Sequence, residues 1–254
     1  LIRTGTKVNN KDTLIKSDER LDELNRRGYK IIQHPKKFCF GIDAVLLSAF
    51  ASVKEGEKVL DIGTGTGVIP ILMEARYGGN YTGIEIQEDV ADMARRSVKY
   101  NDLQEKITID NADIKDGISL YGSNTIDVIT TNPPYMTVNS GIVNDNDTKA
   151  ISRHEVSVTL NDIIRVSSSL LREKGRFYMV HRPHRLMEIM SVMSEYNMQV
   201  KRLRMVHAFV DKDANMVLIE ASQNGGAFLK VEKPLIVYDK TGEYTKEVAD
   251  IYLE

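Results

Sequence analysis

The hydrophobic residues of the central part of the chain fall into short runs that alternate with amphipathic segments. Strands are predicted where apolar and β-branched residues are bounded by turn formers, and helices where apolar positions recur every three or four residues. These rules predict strands at 58–62, 81–86, 106–111, 126–131 and 174–181, with helices at 68–76, 88–101, 159–172 and 183–196. Such alternation predicts an α/β fold in which a mostly parallel sheet is covered on both faces.

Beyond the fifth strand the pattern changes. Residues 199–210 and 215–221 predict two more strands joined by a short polar turn, so an antiparallel hairpin is expected there. The tail after the hairpin predicts an ordered addition or an edge strand. We therefore divide the chain into an N-terminal extension with a lid or cap helix, a central domain and a C-terminal extension, at 1–50, 51–222 and 223–254.

The N-terminal extension has a mixed pattern. A strand is predicted from Tyr29 to Gln33, and the charged residues before it predict a short helix. Residues 38–50 predict a second helix, and Asp43 near its N-terminus is expected to cap it. In the alternative interpretation, Phe40 and Gly41 form a lid over the turn that follows the first central strand.

That turn is rich in glycine. Asp61 lies near the end of the first central strand, and Gly63, Gly65 and Gly67 occupy alternate positions before the next helix. Glycine tolerates positive φ and lets a ligand approach backbone N–H groups at a helix start, so the motif predicts a nucleotide-type pocket. The spacing is GxGxG, which disfavours the GxGxxG of a nicotinamide oxidoreductase. A strand-to-helix turn without a ligand is the alternative.

Two more features lie at the carboxyl ends of predicted strands. Glu85 ends the second strand, where the ribose diol of a nucleotide lies in open α/β sheets. The motif Asn132-Pro133-Pro134-Tyr135 follows the fourth strand. Two prolines fix φ twice and remove two N–H donors, so the carbonyls of this turn can act as acceptors.

The chemistry of this motif suits a planar group that carries an NH₂. The side-chain carbonyl of Asn132 and the backbone carbonyl of Pro133 can accept its two hydrogens, and Tyr135 can stack on the ring. Both acceptors would draw the nitrogen towards tetrahedral geometry and expose its lone pair for attack. A Pro-Pro turn with an Asn cap is the structural alternative, but a turn after the fourth strand lies beside the glycine turn, at the edge where such sheets bind ligands.

Composition and charge restrict the choice of class. The chain has 254 residues and a formal net charge of −2, so it can bury a sizeable core and shows no global sign of nucleic-acid binding. Its single cysteine, Cys39, excludes an intramolecular disulfide and a cysteine-rich zinc site, and favours a reducing, cytoplasmic location. The polar N-terminal residues indicate neither a signal peptide nor a membrane span, and no metal is expected.

Taken together, residues 61–67, Glu85, Asp113 and the Asn-Pro-Pro-Tyr motif resemble the S-adenosylmethionine-dependent amino methyltransferases. Segments 38–47 and 151–155 extend the resemblance to the bacterial tRNA adenine-N6 methyltransferases that modify the adenine next to the anticodon of a valine tRNA. The resemblance covers about residues 18–222. It implies a class I methyltransferase (Rossmann-like) sheet of five parallel strands plus a C-terminal antiparallel hairpin, with S-adenosyl-L-methionine as cofactor and RNA as partner.

The resemblance also implies a role for each matching residue. Asp61 would orient the amino end of the cofactor, Glu85 would take its ribose hydroxyls, and Asp113 would accept from N6 of its adenine. The implied catalytic residues are Asn132, Pro133, Pro134 and Tyr135, and the implied cofactor-binding residues are Phe40, Asp61, Gly63, Thr64, Gly65, Gly67, Glu85, Ile86, Asp113, Ile114 and Asn132. As turn formers, Asp61 and Asp113 also have a purely structural explanation.

An RNA substrate places further demands on the chain. A nucleotide in folded RNA must be unstacked before its amine reaches such a pocket, which costs least in a loop. The polar segment at 136–159 lacks a helix or strand pattern and predicts a mobile substrate loop. Phosphate contacts are predicted for Lys36, Lys37, Arg153 and His154. Other cationic clusters more often form a solvated face, but several at one rim would form an RNA groove.

Three alternatives remain open at this point. A protein glutamine N5 methyltransferase shares the Asn-Pro-Pro-Tyr motif but is expected to carry a helical domain ahead of the sheet, where this chain has about 57 residues. A ribosomal RNA guanine-N2 methyltransferase is expected to have a duplicated or extended domain. From a different class, the chain could be an RNA-binding module that keeps the cofactor for structure, although the intact acceptors at Asn132 and Pro133 argue against it.

Overall fold

The computed structural model describes residues 11–37, 39–135 and 158–253. The predicted substrate loop at 136–159, apart from its last two residues, lies outside the described residues. The predicted phosphate ligands Arg153 and His154 lie outside them as well.

Strands and helices alternate through the described residues. The strands are β1 Arg20–Glu23, β2 Lys30–Gln33, β3 Lys58–Ile62, β4 Asn80–Glu85, β5 Ile107–Asn111, β6 Ile126–Thr131, β7 Leu171–His181, β8 Met198–His207, β9 Ala214–Gln223, β10 Lys230–Val231 and β11 Leu235–Ile236. The helices are α1 Ile42–Phe50, α2 Val68–Tyr77, α3 Glu88–Tyr100, α4 Gly117–Tyr121, α5 Leu160–Leu170, α6 Leu186–Glu195 and α7 Lys246–Leu253, and three-residue 3₁₀ turns occur at Asp12–Leu14, Ile114–Asp116 and Pro183–Arg185.

In the described part of the chain, nine strands form one sheet. Its order is β10-β8-β9-β7-β6-β3-β4-β5, and β11 also pairs with β8. Strands β7, β6, β3, β4 and β5 are mutually parallel, whereas β9 is antiparallel to both β7 and β8. The predicted fold of five parallel strands plus a hairpin is confirmed. Because β9 is antiparallel to both of its neighbours, β8 runs in the same direction as β7 and ends at the same edge of the sheet as the parallel strands.

The core lies on both faces of this sheet because neighbouring residues of a strand point in opposite directions. Val59 of β3 and Val128 of β6 belong to one buried cluster with residues of α1, α2 and α3. Leu60 and Ile129 belong to a second cluster with residues of α5 and α6. Burial on both faces explains why these strands are continuous apolar runs in the sequence.

The N-terminal segment departs from the prediction. The helix expected before Tyr29 is wrong, because β1 pairs antiparallel with β2 there, with Leu21 opposite Ile32. Just before β1, Glu19 forms a largely buried ion pair with Arg96 of α3, with 2.5 Å between Oε2 and Nη1. The charged segment that predicted a short helix therefore contributes to a tertiary ion pair, whereas the predicted strand is confirmed at Lys30–Gln33.

The C-terminal tail adds two short strands along β8, as the prediction of an edge strand requires. It also contains α7, which the sequence pattern does not predict and which buries Val248 in the core. Within the described ranges, no helix has the length and apolar character needed to cross a membrane.

Candidate active site

The glycine turn and the Asn-Pro-Pro-Tyr turn lie side by side at the carboxyl edge of the sheet. Strands β3 and β6 are neighbours, with Ile62 opposite Thr131 at their ends. Gly63 and Asn132 are the next residues of the two strands. Parallel pairing therefore brings the two motifs together, as the order of strands in such sheets favours.

The three glycines of the first turn all have positive φ, at 67° for Gly63, 57° for Gly65 and 86° for Gly67. Their N–H groups are used inside the protein: Gly63 donates to Ile84 O at 2.9 Å and Gly67 to Thr64 O at 3.0 Å. Gly65 donates to the Glu85 carboxylate at 3.0 Å. The N–H groups of the three glycines are therefore not free for a ligand, and the predicted approach of a ligand to the N–H groups at the helix start stays a prediction.

Asp61 is buried near the end of β3, two residues before Gly63. Its Oδ1 accepts a 2.6 Å hydrogen bond from the Thr130 hydroxyl, and its Oδ2 has no hydrogen-bond partner among the described residues. Burial raises the pKa of this carboxyl to about 7, against the neighbouring hydroxyls of Thr130 and Thr64, which lower it. An acceptor oxygen buried without a partner is costly, so this side chain is suited to a polar or cationic ligand group.

The Glu85 carboxylate is held at the end of β4 by backbone N–H groups. Its Oε2 accepts from Gly65 and its Oε1 from Gln87, each at 3.0 Å. Each carboxylate oxygen can accept more than one hydrogen bond, so this geometry is compatible with ribose hydroxyls. The next residue, Ile86, is 39% exposed and offers an apolar surface beside the carboxylate.

Asp113 follows β5 and begins a 3₁₀ turn. Its Oδ1 accepts from the backbone N–H of Lys115 at 2.9 Å, so one of its oxygens has the structural role that a turn former takes. Ile114 is buried in the cluster that lies beneath α5. Sequence reasoning missed Asn111, whose amide donates to the carbonyls of Glu85 and Ile86 at 2.9 and 3.0 Å and fixes the end of β4.

In the second turn, Pro133 is buried, Pro134 is exposed and Asn132 is partly buried. The Tyr135 hydroxyl lies 2.8 Å from Oδ1 of Asn132 and 2.7 Å from Oδ2 of Asp43. Burial, and then the charge of Asp43, raise the pKa of Tyr135 well above its ordinary value, so the phenol keeps its proton.

The structure places Asp43 in the site, contrary to its predicted role as a helix cap. The N-cap of α1 is Gly41, and none of the described side chains caps this helix; Asp43 Oδ1 accepts from the N–H of the adjacent Ala44, at 2.9 Å. Phe40 is partly buried before the helix, and its N–H donates to the Gln33 side chain at 2.8 Å. No local sequence signal distinguishes a capping acid from one that reaches a residue 92 positions away.

Two residues at the end of β7, His181 and Arg182, lie beside Tyr135; the sequence indicates them only as one of the cationic clusters and does not predict this contact. The ring of His181 meets the ring of Tyr135 edge to face, at 5.3 Å between centroids. The guanidinium carbon of Arg182 lies 4.6 Å from the centroid of Tyr135, and its Nη1 donates to Asn215 O at 2.9 Å. Burial lowers the pKa of His181 to about 4, so this ring is neutral at pH 7.

The cationic clusters of the sequence are largely paired with acids in the structure. Lys37 forms an ion pair with Asp89, while Lys36 is exposed on the preceding turn. The pairs elsewhere join Arg95 with Glu88, Arg185 with Glu188, Arg202 with Glu220 and Arg204 with Glu247. Paired surface charges attract phosphates less strongly than unpaired ones, so the predicted RNA groove remains a proposal.

A separate cleft lies near the C-terminal end of α2, at the opposite edge of the sheet from the glycine turn. It is lined by Arg26, Ala49, Arg76, Tyr77, Glu247, Asp250 and Ile251. Helix α2 begins at the glycine turn, and its ten residues carry the chain about 15 Å away from it. We therefore assign the chemistry to the carboxyl edge, where the glycine turn and the Asn-Pro-Pro-Tyr turn lie side by side. The described residues contain no cluster of His, Cys, Asp and Glu suited to a metal ion.

Comparison with known proteins gives a consistent result. The model of the methyltransferase small domain family matches residues 29–210. The chain is 30% identical over 216 residues to the tRNA1(Val) (adenine(37)-N6)-methyltransferase of Porphyromonas gingivalis, an alignment that covers 82% of this chain and 84% of that protein. It is 29% identical over 217 residues to the protein of the same name from Bacteroides thetaiotaomicron, which covers 84% and 88%.

The fold has a solved counterpart. The crystal structure of a predicted O-methyltransferase from Agrobacterium tumefaciens aligns with a TM-score of 0.68 at 21% identity, covering 83% of this chain and 95% of that chain. At this identity the likeness concerns the fold alone.

Proposed function

Because the chain belongs to the methyltransferase small domain family, we propose that it transfers a methyl group from S-adenosyl-L-methionine to N6 of an adenine in tRNA. The names of its relatives specify the target further, as adenine 37 of a valine tRNA, the adenine next to the anticodon. We extend the proposal to that nucleotide and to a cytoplasmic location. The central domain at 51–222 carries the reaction, with 1–50 and 223–254 as extensions.

The residues of the glycine turn fit the proposed cofactor. A Cβ on Gly63 or Gly65 would meet no atom within 4 Å, so the turn faces open space where a ligand can approach the backbone. The unpartnered Oδ2 of Asp61 suits the ammonium group of a methionine moiety, and Glu85 with Ile86 suits a ribose and an adenine. Phe40, Thr64, Gly67, Asp113, Ile114 and Asn132 complete the proposed cofactor site.

The cofactor supplies a methyl group on a sulfonium, which is a good leaving group, so the protein contributes mainly alignment. Asn132 and the Pro133 carbonyl accept the two hydrogens of the target amine and hold its lone pair towards the methyl group. Tyr135 and Pro134 position the base. The nitrogen would lose its proton, to water, only after it has gained the new substituent, so no strong base would be required before attack.

Access to this turn requires an extruded base. Nucleotides in a loop are partly unstacked already, which reduces the cost of extrusion and favours an anticodon loop over a duplex. Lys36 and Lys37, together with Arg153 and His154, are the proposed phosphate contacts. The carboxyl ends of β3 and β6 provide the edge at which the base and the cofactor meet.

The proposal rests on one observation: the Asn132 turn and the glycine turn are the direct continuations of two paired parallel strands. The test is incubation of the purified protein with labelled S-adenosylmethionine and unmodified tRNA, followed by mass mapping of methylated nucleosides. We expect N6-methyladenosine at one position next to the anticodon of a valine tRNA. Methylated guanine, methylation of a protein glutamine, or binding of tRNA without transfer would each replace the proposal with one of the alternatives.

A further inference from the structure

The Tyr135 hydroxyl lies between two acceptor oxygens. Its Oη is 2.7 Å from Oδ2 of Asp43 and 2.8 Å from Oδ1 of Asn132. A hydroxyl carries one hydrogen, so only one of these oxygens receives a full hydrogen bond. A bond to a carboxylate is charge-assisted and stronger than a bond to a neutral amide. The hydrogen of Tyr135 is therefore given to Asp43.

The surroundings hold this hydroxyl in place. Asp43 is fixed at the start of α1, where its other oxygen accepts from the N–H of Ala44 at 2.9 Å. The ring of Tyr135 is held by the edge of His181 and by the guanidinium of Arg182. The tyrosine also keeps its proton, because burial and the charge of Asp43 oppose its ionisation.

The consequence falls on the Asn132 amide. Once the hydroxyl hydrogen is on the Asp43 side, Tyr135 Oη presents a lone pair to Asn132. The carbonyl oxygen of the amide is repelled by this lone pair, whereas its NH₂ can donate to it. In the structure Oδ1 is the atom that faces the Tyr135 hydroxyl. A half-turn of the amide about its Cβ–Cγ bond exchanges the two groups, so that the NH₂ faces Tyr135 and the carbonyl oxygen faces away from it.

We propose that Asp43, acting through the Tyr135 hydroxyl, is a positioning residue that turns the Asn132 carbonyl oxygen towards the amine of the substrate. This inference rests on the proposed function, because it assumes that Asn132 accepts a hydrogen from that amine. Asp43 itself touches neither the substrate nor the cofactor in this role. Its influence passes through two hydrogen bonds.

Removal of Asp43 changes the acceptor of the Tyr135 hydroxyl and so reverses the orientation of the Asn132 amide. The Tyr135 hydroxyl then donates to Asn132 Oδ1, and the amide presents its NH₂ to the NH₂ of the substrate. Two donors that face each other repel. Removal of the hydroxyl itself leaves the amide without a bias in either direction, so Tyr135→Phe is less harmful than Asp43→Ala. The double variant loses the wrongly directed donor and regains activity relative to Asp43→Ala.

A double-mutant cycle tests this order. Single-turnover methyl transfer to unmodified tRNA is measured for the wild type, Asp43→Ala, Tyr135→Phe and the double variant. We expect Asp43→Ala to be about tenfold slower than Tyr135→Phe, and the double variant to return to the rate of Tyr135→Phe. The dissociation constant of the cofactor, measured by calorimetry, should agree within about twofold in all four proteins. If Asp43 merely held the tyrosine, the double variant would be no faster than Asp43→Ala, and that result overturns the proposal.

Two additional variants complete the test. Asp43→Asn keeps the size of the side chain but removes the charge that strengthens the hydrogen bond from Tyr135. In a cycle with Tyr135→Phe, the double variant should again transfer faster than Asp43→Asn, by a smaller factor. Asp43→Asn replaces Asp43→Ala if that protein does not fold. Glu247→Ala removes an acid from the first turn of α7, where it pairs with Arg204, and should transfer at the wild-type rate. A wild type without methyl transfer refutes the proposed function. An active wild type whose double variants are no faster than the Asp43 single variants refutes only the positioning role of Asp43.

Discussion

The hydroxyl of Thr130 on β6 donates a 2.6 Å hydrogen bond to Oδ1 of Asp61 on β3. The two residues are opposite each other in the parallel pairing of their strands, and both are buried. Asp61 lies two residues before Gly63, and Thr130 lies two residues before Asn132. This bond therefore joins the strand that carries the glycine turn to the strand that carries the Asn-Pro-Pro-Tyr turn.

Replacement of Thr130 by valine should weaken both stability and cofactor binding. Valine has the shape of threonine but no donor, so Asp61 loses its hydrogen bond from β6 inside the core. We expect the free energy of unfolding to fall by about 1–3 kcal/mol, measured by chemical denaturation. Cofactor affinity at pH 7 should also fall, because a carboxyl without this donor is protonated more readily.

Thr131→Val is the matched control for that variant. Thr131 is the next residue of β6, and its hydroxyl donates to the carbonyl of Ile62 at 3.0 Å rather than to a carboxylate. Its replacement should reduce stability without a change in the pH dependence of cofactor binding. An equal effect of both variants on that pH dependence would show that the bond to Asp61 has no special role.

The affinity for S-adenosylmethionine should rise with pH between pH 5.5 and 7. Burial raises the pKa of Asp61 to about 7 in the protein alone, so below that pH the carboxyl carries a proton. An ammonium group placed beside Asp61 favours the charged form, and binding must then release this proton. The dissociation constant should approach a tenfold change per pH unit at the acid end, measured by calorimetry.

Asp61→Asn should remove this pH dependence and bind the cofactor more weakly throughout. The raised pKa of Asp61 has the opposite effect on the stability of the protein without cofactor, which should fall as the pH rises. A carboxyl whose folded pKa is raised stabilises the folded state most at low pH, and this contribution is lost as the pH rises through 7. A wild-type affinity that stays constant from pH 5.5 to 7 would remove Asp61 from the cofactor site.

Gly65→Ala should reduce cofactor binding more than stability. The residue has φ of 57°, so an alanine there costs about 1–2 kcal/mol in backbone strain. Its Cβ would meet no protein atom within 4 Å but would project into the open space of the turn. Gly242 in the C-terminal tail also has a positive φ, of 88°, and a Cβ there would likewise meet no atom within 4 Å, so Gly242→Ala should reduce stability and leave binding unchanged.

Asn132→Ala should abolish methyl transfer and, although Asn132 borders the proposed cofactor site, reduce cofactor binding far less. The amide is proposed to accept a hydrogen from the substrate amine, and the loss of one such preorganised group costs at least about a hundredfold in rate. Single-turnover kinetics with unmodified tRNA measure the loss, and calorimetry measures the affinity for the cofactor. Loss of both in equal measure would mean that Asn132 holds the cofactor or the fold rather than the substrate.

Much of this molecule follows from its sequence alone. The bounds of β3 and β6 are those predicted from apolar runs, because a strand buried on both faces leaves a short continuous hydrophobic pattern. The adjacency of the two turns also follows from the sequence, since parallel strands joined by helices carry their ligand-binding turns at one edge. Local periodicity and turn chemistry are sufficient for both results.

Only the tertiary structure decided which side chains meet. The sequence predicts Asp43 as a helix cap, yet its side chain accepts a hydrogen bond from the hydroxyl of Tyr135. The charged segment around Glu19 predicts a helix, yet Glu19 forms an ion pair with Arg96. A pattern along the chain records the period of an element and the residue types at its ends. It does not record the partner of a polar group, because that partner is brought near by the packing of distant strands and helices.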